Sequence, residues 1–148
     1  MKPSPSLTRK SSRRIPRPWA VVAALAMLGA VVIPWLHWTH SGQASRSSYE
    51  AFRSAQRLGL DQLDPVRVLW FVLPAVALSA VLAWLAGWVR LSGLLCVSVG
   101  IVLFLTGMTF VMSTAGPAVG SWLGMVNGGV AIVAGGYLMW KPQDTFGS

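Results

Sequence analysis

Between Arg67 and Lys141 this chain carries a single ionised side chain, Arg90, and between Trp19 and Ser45 it carries none. In a water-soluble domain each surface element must solvate one face, and charge makes up roughly a quarter of such chains. Uncharged stretches this long have no solvated face. They do suit lipid, because a hydrocarbon core about 30 Å thick takes roughly 20 apolar helical residues at a rise of 1.5 Å each. Apolar blocks of that kind run over Trp19 to Trp38, Val68 to Val89 and Leu91 to Trp140. The last is about twice one span, and Ser113-Thr114-Ala115-Gly116-Pro117 divides it with both helix-ending residues. The expected fold is therefore an all-α polytopic membrane protein, a four-helix transmembrane bundle with a short amphipathic outer helix. Its spans lie at about 19–38, 68–89, 91–112 and 117–140, its outer loop at 39–67, and its tails at 1–18 and 141–148.

A net charge of +8 would point to nucleic acid in a soluble domain. Here Lys2, Arg9, Lys10, Arg13, Arg14 and Arg17 directly precede the first apolar run, a placement that suits anionic lipid headgroups instead. The positive-inside rule then places the N-terminus in the cytoplasm, with Arg90 and Lys141 on the same side and Arg46, Arg53, Arg57 and Arg67 in smaller number opposite. Both termini are expected on the cytoplasmic face of a bacterial inner membrane. Residues 1–18 have no apolar periodicity and read as a disordered topology determinant; phosphate on Ser4, Ser6, Thr8, Ser11 or Ser12 would instead make them an electrostatic switch. Trp19, Trp35, Trp38, Trp70, Trp88 and Trp140 fall near span ends, where an indole anchors at the interface. A cleaved signal peptide is the rival reading of the first span, but Trp35, His37, Trp38 and His40 make a bulky cleavage region, so the span is expected to be retained.

The outer loop holds local structure of its own. Ser47 and Glu50 have the spacing of a capping box, starting a helix that runs to about Leu58 before Gly59. Tyr49, Phe52 and Ala55 recur on one face, while Arg46, Glu50, Arg53 and Arg57 gather on the other as a possible docking surface. Asp64 and Pro65 supply the N-cap and first position of span two, and Pro74 is expected to kink that span.

Helices in lipid associate by close backbone contact, which small residues permit. Span two carries Ala75, Ser79, Ala83 and Gly87 at every fourth position, and span four carries Gly116, Gly120, Gly124 and Gly128 in the same way. Span three has Gly93, Gly100 and Gly107 seven apart, which suits a left-handed crossing. These strips either close a compact bundle or, for span four, face outward and mediate self-association or binding to a membrane protein partner. Asn127, the strongest polar group of its span, is expected to hydrogen-bond Thr106, Thr109 or Ser98 across the bundle.

Little in the chain points to chemistry. His37 and His40, at helix spacing three, have only Glu50, Asp61 and Asp64 as nearby carboxylates; they suit interface anchoring better than a metal site, and no cofactor is expected. The lone Cys96 rules out an intramolecular disulfide. No ionisable residue lies centrally in a span, as coupled transport would require. Nor is there an H-E-x-x-H, a P-loop or a G-x-S-x-G motif.

The basic tail, the span ending Ile33-Pro34-Trp35, the stretch Ser45-Arg46-Ser47-Ser48-Tyr49-Glu50 and the three Ala/Val/Gly-rich spans that follow resemble, in layout and composition, small four-span membrane proteins of high-GC actinobacteria. That resemblance covers most of the chain and implies no catalytic or binding residue. Claudin-like tetraspans share the four spans but have two loop cysteines that this chain lacks. The functional expectation is a non-catalytic accessory or assembly subunit of a larger cell-envelope complex. The alternatives are a homo-oligomeric small-solute or lipid pathway and a metal-dependent membrane enzyme at His37 and His40.

Overall fold

A computed structural model describes residues 18–41, 44–57, 64–112 and 116–140. Helix α1 (Pro18–Val32) continues into a 3-10 turn (Ile33–Trp35), strands β1 (His37–Ser41) and β2 (Ala44–Ser47), and helix α2 (Ser48–Arg57). Helices α3 (Asp64–Leu85) and α4 (Val89–Val111), strand β3 (Gly116–Pro117) and helix α5 (Val119–Trp140) complete it. Among the described residues four helices are long and apolar enough to cross a membrane, counting α1 with its 3-10 turn. The protein is a multi-pass all-α bundle in which α1, α3, α4 and α5 pack as neighbours in chain order, with α5 closing back on α1. The Trp19 and Tyr137 rings meet at 5.1 Å, so α1 begins and α5 ends at one end of the bundle. We call this the terminal end and the opposite one the capped end. Residues 1–17 and 141–148, with Arg9, Lys10, Arg13, Arg14 and Arg17, lie outside the described residues.

Both faces of every span are apolar, so polarity cannot choose which face turns inward; size does. The buried positions of α1 are mostly alanines, Ala20, Ala23, Ala26 and Ala30, while Leu25, Leu28 and Val32 face out. On α5 the buried set is Gly120, Ser121, Gly124, Gly128, Ala131, Ala134, Gly135 and Leu138, and Trp122, Val126 and Val133 are exposed. This is what association without a hydrophobic driving force requires: the gain comes from dispersion between closely apposed backbones, so the smallest residues go inside.

The α4–α5 seam shows the principle most directly. Added Cβ atoms at Gly93 and Gly135 would each lie within 2.8 Å of the other residue's carbonyl oxygen, and Gly100 and Gly128 face each other in the same way. Gly107 sits on the backbone of Ser121 and Met125. The contacts advance by seven residues on each antiparallel helix, the repeat that keeps a seam facing its partner along its length. Gly135 and Ser121 belong to this seam although the four-residue count on α5 does not reach them.

Span two departs from its expected strip. Ala75 and Ser79 are exposed; Ala83 of that strip is buried, but the rest of the buried face of α3 is Trp70, Leu73, Ala77 and Ala80. The choice follows the bulkiest residue: Trp70 enters the core, and the positions in phase with it follow. Gly87 lies beyond the helix, with φ of 85°. Its amide donates to the carbonyl of Trp84, and that of Trp88 donates to Ala83. These are the two bonds of a Schellman cap, whose left-handed position glycine fills without strain; Gly87 turns the chain and packs nothing. Gly116 likewise lies outside α5, in β3.

The first span is shorter than its apolar run. Helix α1 ends two residues before Pro34, a residue that disfavours helix just ahead of itself, and His37 and His40 lie on β1 rather than on a helix face. Strand β1 pairs antiparallel with both β2 and β3, giving the order β2-β1-β3. This small ribbon ties the α1–α2 connection to the α4–α5 connection at the capped end.

Asn127 Nδ2 donates to the Ala26 carbonyl of α1 at 2.9 Å. Gly29 makes room, since a Cβ there would lie 3.0 Å from Asn127 Oδ1. Two of the three expected partners on α4 are otherwise engaged: the Ser98 and Thr109 hydroxyls donate to their own helix, at Leu94 and Leu105. An exposed hydroxyl in lipid has no water to bond and satisfies itself locally.

Candidate docking site at the capped end

The capped end is closed by an aromatic cluster built around Trp38. This residue is fully buried, its Nε1 donating to the Ile33 carbonyl at 2.9 Å. Its ring meets Trp70 edge-on at 5.2 Å and Phe110 at 5.5 Å, the arrangement aromatic quadrupoles favour. The remaining side is α5: a Cβ at Gly124 would lie 2.5 Å from Trp38 Cη2, and one at Gly120 would lie 2.6 Å from the His37 carbonyl. Gly120 and Gly124 are thus the floor on which an indole lies. Trp38 and Trp70 therefore correct their reading as interface anchors, because the chain reverses into β1 and swings the Trp38 indole back over the bundle. Trp35 at 68% exposure and Trp140 at 90% stay on the surface.

Helix α2 starts at a local cap and is fastened to this cluster by two contacts. Its start is a reciprocal capping box, in which the Ser47 amide donates to Glu50 Oε2 at 3.0 Å and the Glu50 amide to Ser47 Oγ at 3.4 Å. The buried Ser48 hydroxyl bridges two elements: it donates to the Pro34 carbonyl and accepts from Trp70 Nε1 at 2.9 Å. Buried Tyr49 then packs between the tilted rings of Trp35 at 4.8 Å and Phe71 at 4.9 Å, and its burial pushes the phenol above its ordinary pKa.

With one side so fixed, Arg53 and Arg57 are exposed and lie four residues apart on α2, on neighbouring turns of one helix. Glu50 is exposed but engaged in the cap. Arg46 stands on β2, ahead of the helix, so it does not share the expected helix face with Glu50, Arg53 and Arg57. Gly59 and Asp61 lie outside the described residues, as do the side chains of His40, Arg46, Phe52, Ala55 and Asp64. Exposed His37 sits on β1, and no group of three or more His, Cys, Asp or Glu is placed to hold a metal ion among the described residues.

The arrangement presents two guanidinium groups, planar forks suited to carboxylate or phosphate, on a helix that the aromatic cluster immobilises. Its capping box was legible in the sequence, whereas the Ser48 bridge was not: its partners, Pro34 and Trp70, are 14 and 22 residues away. No known protein family, curated protein or solved structure matches this chain.

Proposed function

We propose that this protein is a non-catalytic accessory or assembly subunit of a larger cell-envelope complex, binding an acidic partner surface through Arg53 and Arg57 of α2. The observation that carries the reading is the mounting of this helix. A buried serine bridge and a packed tyrosine hold α2 against the bundle and a capping box sets its start, while its two arginines face away. Fixing the helix beforehand lowers the ordering cost of an encounter, which is how pre-organisation gains affinity. In this reading the chain lies in a bacterial inner membrane with both termini cytoplasmic, as the basic tail favours, and α2 faces outward. Its layout also agrees with membership of the small four-span actinobacterial proteins that it resembles.

The pathway alternative needs the small-residue faces of spans two and four to line a lumen. Gly120 and Gly124 are instead covered by Trp38 within a single copy, and Gly128 by α4.

The test is purification of a C-terminally tagged copy from its own host in mild detergent, with native mass and identification of co-purifying proteins, alongside Arg53→Glu/Arg57→Glu. A stoichiometric membrane partner lost in the double variant, with the variant still folded in the membrane, supports the proposal. A partner-free homo-oligomer refutes it in favour of the pathway, and a partner retained by the double variant refutes the role of the two arginines.

A further inference from the structure

The mounting of α2 brings a third exposed group close to Arg53 and Arg57. Trp35 is exposed, yet its position is fixed on two sides: its ring packs on Tyr49 at 4.8 Å, and the carbonyl of the preceding Pro34 accepts from Ser48. Tyr49 in turn lies four residues before Arg53 on α2, a spacing that puts their Cβ atoms about 6 Å apart. A rigid indole and two guanidinium groups therefore share one corner of the bundle. Trp and Arg are the side chains that most often dominate a protein interface, the first by the area it buries and the second by its fixed fork for carboxylates.

The depth of this corner selects the kind of partner. Trp35 is the last residue of the first membrane span, and exposed Phe71, on the other side of Tyr49, belongs to the second. The aromatic row is thus level with the edge of the hydrocarbon core, whereas Arg53 and Arg57 follow on α2, outside the spans. A soluble protein resting on the capped end reaches the arginines but not the flank of Trp35. Along α1 the exposed residues Leu25, Leu28 and Val32 lead up to Trp35 at spacings of three and four, the repeat along which a second helix packs. From Leu25 to Trp35 the rise is about 15 Å, one leaflet of a core about 30 Å thick. Charge fixes the other half of the surface. The one carboxylate of α2, Glu50, is engaged in the cap, so the exposed end of the helix is cationic and complements carboxylates.

We infer that the partner read by Arg53 and Arg57 is itself a membrane protein: one of its spans runs along the exposed face of α1, meets Trp35 at the capped end, and ends in Asp or Glu residues that pair with the two arginines. The inference rests on the docking role of α2 and adds Trp35 as the apolar anchor of the same surface.

The test is ultraviolet cross-linking, in intact host cells, of the full chain carrying Trp35→p-benzoylphenylalanine, with Leu105→p-benzoylphenylalanine, exposed on α4, as the control. Position 35 is expected to give an adduct with one protein, and the cross-linked peptide to lie at the end of an apolar helix with Asp or Glu in the turn that follows; position 105 should give no such adduct. The adduct should fall about tenfold in Arg53→Glu/Arg57→Glu, and recovery of the same partner should fall by a similar factor in Trp35→Ala, as truncation of an interface hot spot does. All the altered positions are exposed, so the variants should reach the membrane in wild-type amounts. Lipid as the sole adduct of position 35, or a partner without spans, while binding through the two arginines persists, overturns the inference and leaves the docking role of α2 standing. A position 35 adduct that the double variant leaves undiminished also overturns it, because the indole and the arginines then serve different partners. Absence of any partner in both cross-linking and purification refutes the docking role itself, and the inference with it.

Discussion

Replacing Gly100 with alanine adds one methyl group at the tightest layer of the α4–α5 seam. Its Cβ would stand 2.7 Å from the Gly128 carbonyl oxygen and 2.9 Å from the Ile132 amide nitrogen, where ordinary contact begins at 3.4 Å. Two of the atoms met belong to backbone, so no side-chain rotation relieves the clash and the helices must separate by roughly 0.7 Å. A gap of that size on a dispersion potential forfeits about a quarter to a half of each contact, and it extends to the Gly93–Gly135 and Gly107–Ser121 layers above and below. Overpacking of this kind costs about 1–3 kcal/mol. The usual helix-propensity gain of alanine over glycine, about 1 kcal/mol in water, offers little compensation, because a span separated from its neighbours in lipid remains helical. We expect a loss of about 2 kcal/mol for Gly100→Ala. The control is Gly136→Ala, where a Cβ meets nothing within 4 Å, and which should stay within about 0.5 kcal/mol of wild type. The assay is reversible unfolding in mixed micelles with increasing sodium dodecyl sulfate, followed by the fluorescence of the buried tryptophans. If the two variants unfold at the same point, α4 and α5 are not in backbone contact at this layer and the size-based account of the bundle is refuted.

Ser48→Ala removes the acceptor of Trp70 Nε1 and the donor to Pro34 at once; a loss of about 1–3 kcal/mol is expected, with faster amide exchange confined to α2 and the ribbon, and unchanged exchange there would contradict the bridge. Asn127→Ala should cost about 0.6 to 1.7 kcal/mol in the same micelle titration, the range for an interhelical bond in lipid, and no effect would mean that Asn127 does not tie α5 to α1. Tyr49 should ionise above the ordinary phenol value of about 10, read as the difference between alkaline absorbance titrations of wild type and Tyr49→Phe. Because burial raises its folded-state pKa, its contribution to holding α2 is complete below about pH 10 and is lost as pH rises through the raised value.

Much of the outline could be read locally. The existence of the spans follows from charge-free length measured against lipid thickness, and neither quantity depends on what the helix touches. Ser47 and Glu50 announced the start of α2 because a capping box closes within one turn, and the small polar break at Ser113–Pro117 announced the separation of α4 from α5 for the same reason. Helix α3 begins at Asp64, one residue ahead of the start at Pro65 that the Asp64–Pro65 pair predicts.

What only the tertiary structure decided is which face of each span turns inward and where the chain between spans returns to the bundle. In water, polarity would mark the inner face along the sequence. In lipid both faces are apolar, and several small-residue strips compete on one helix, so Gly120–Gly124 and Ser121–Gly128–Gly135 of α5 were equally available. The choice fell to the partners: α4 presents glycines seven apart and takes the heptad strip, while Trp38, carried over by β1, occupies the other. The fates of Ala75, Ser79 and Gly87 were decided in the same way, by a tryptophan that packs best inside and a turn that needs a positive φ. Such choices depend on the summed close contacts of residues distant in the chain, which no local pattern contains.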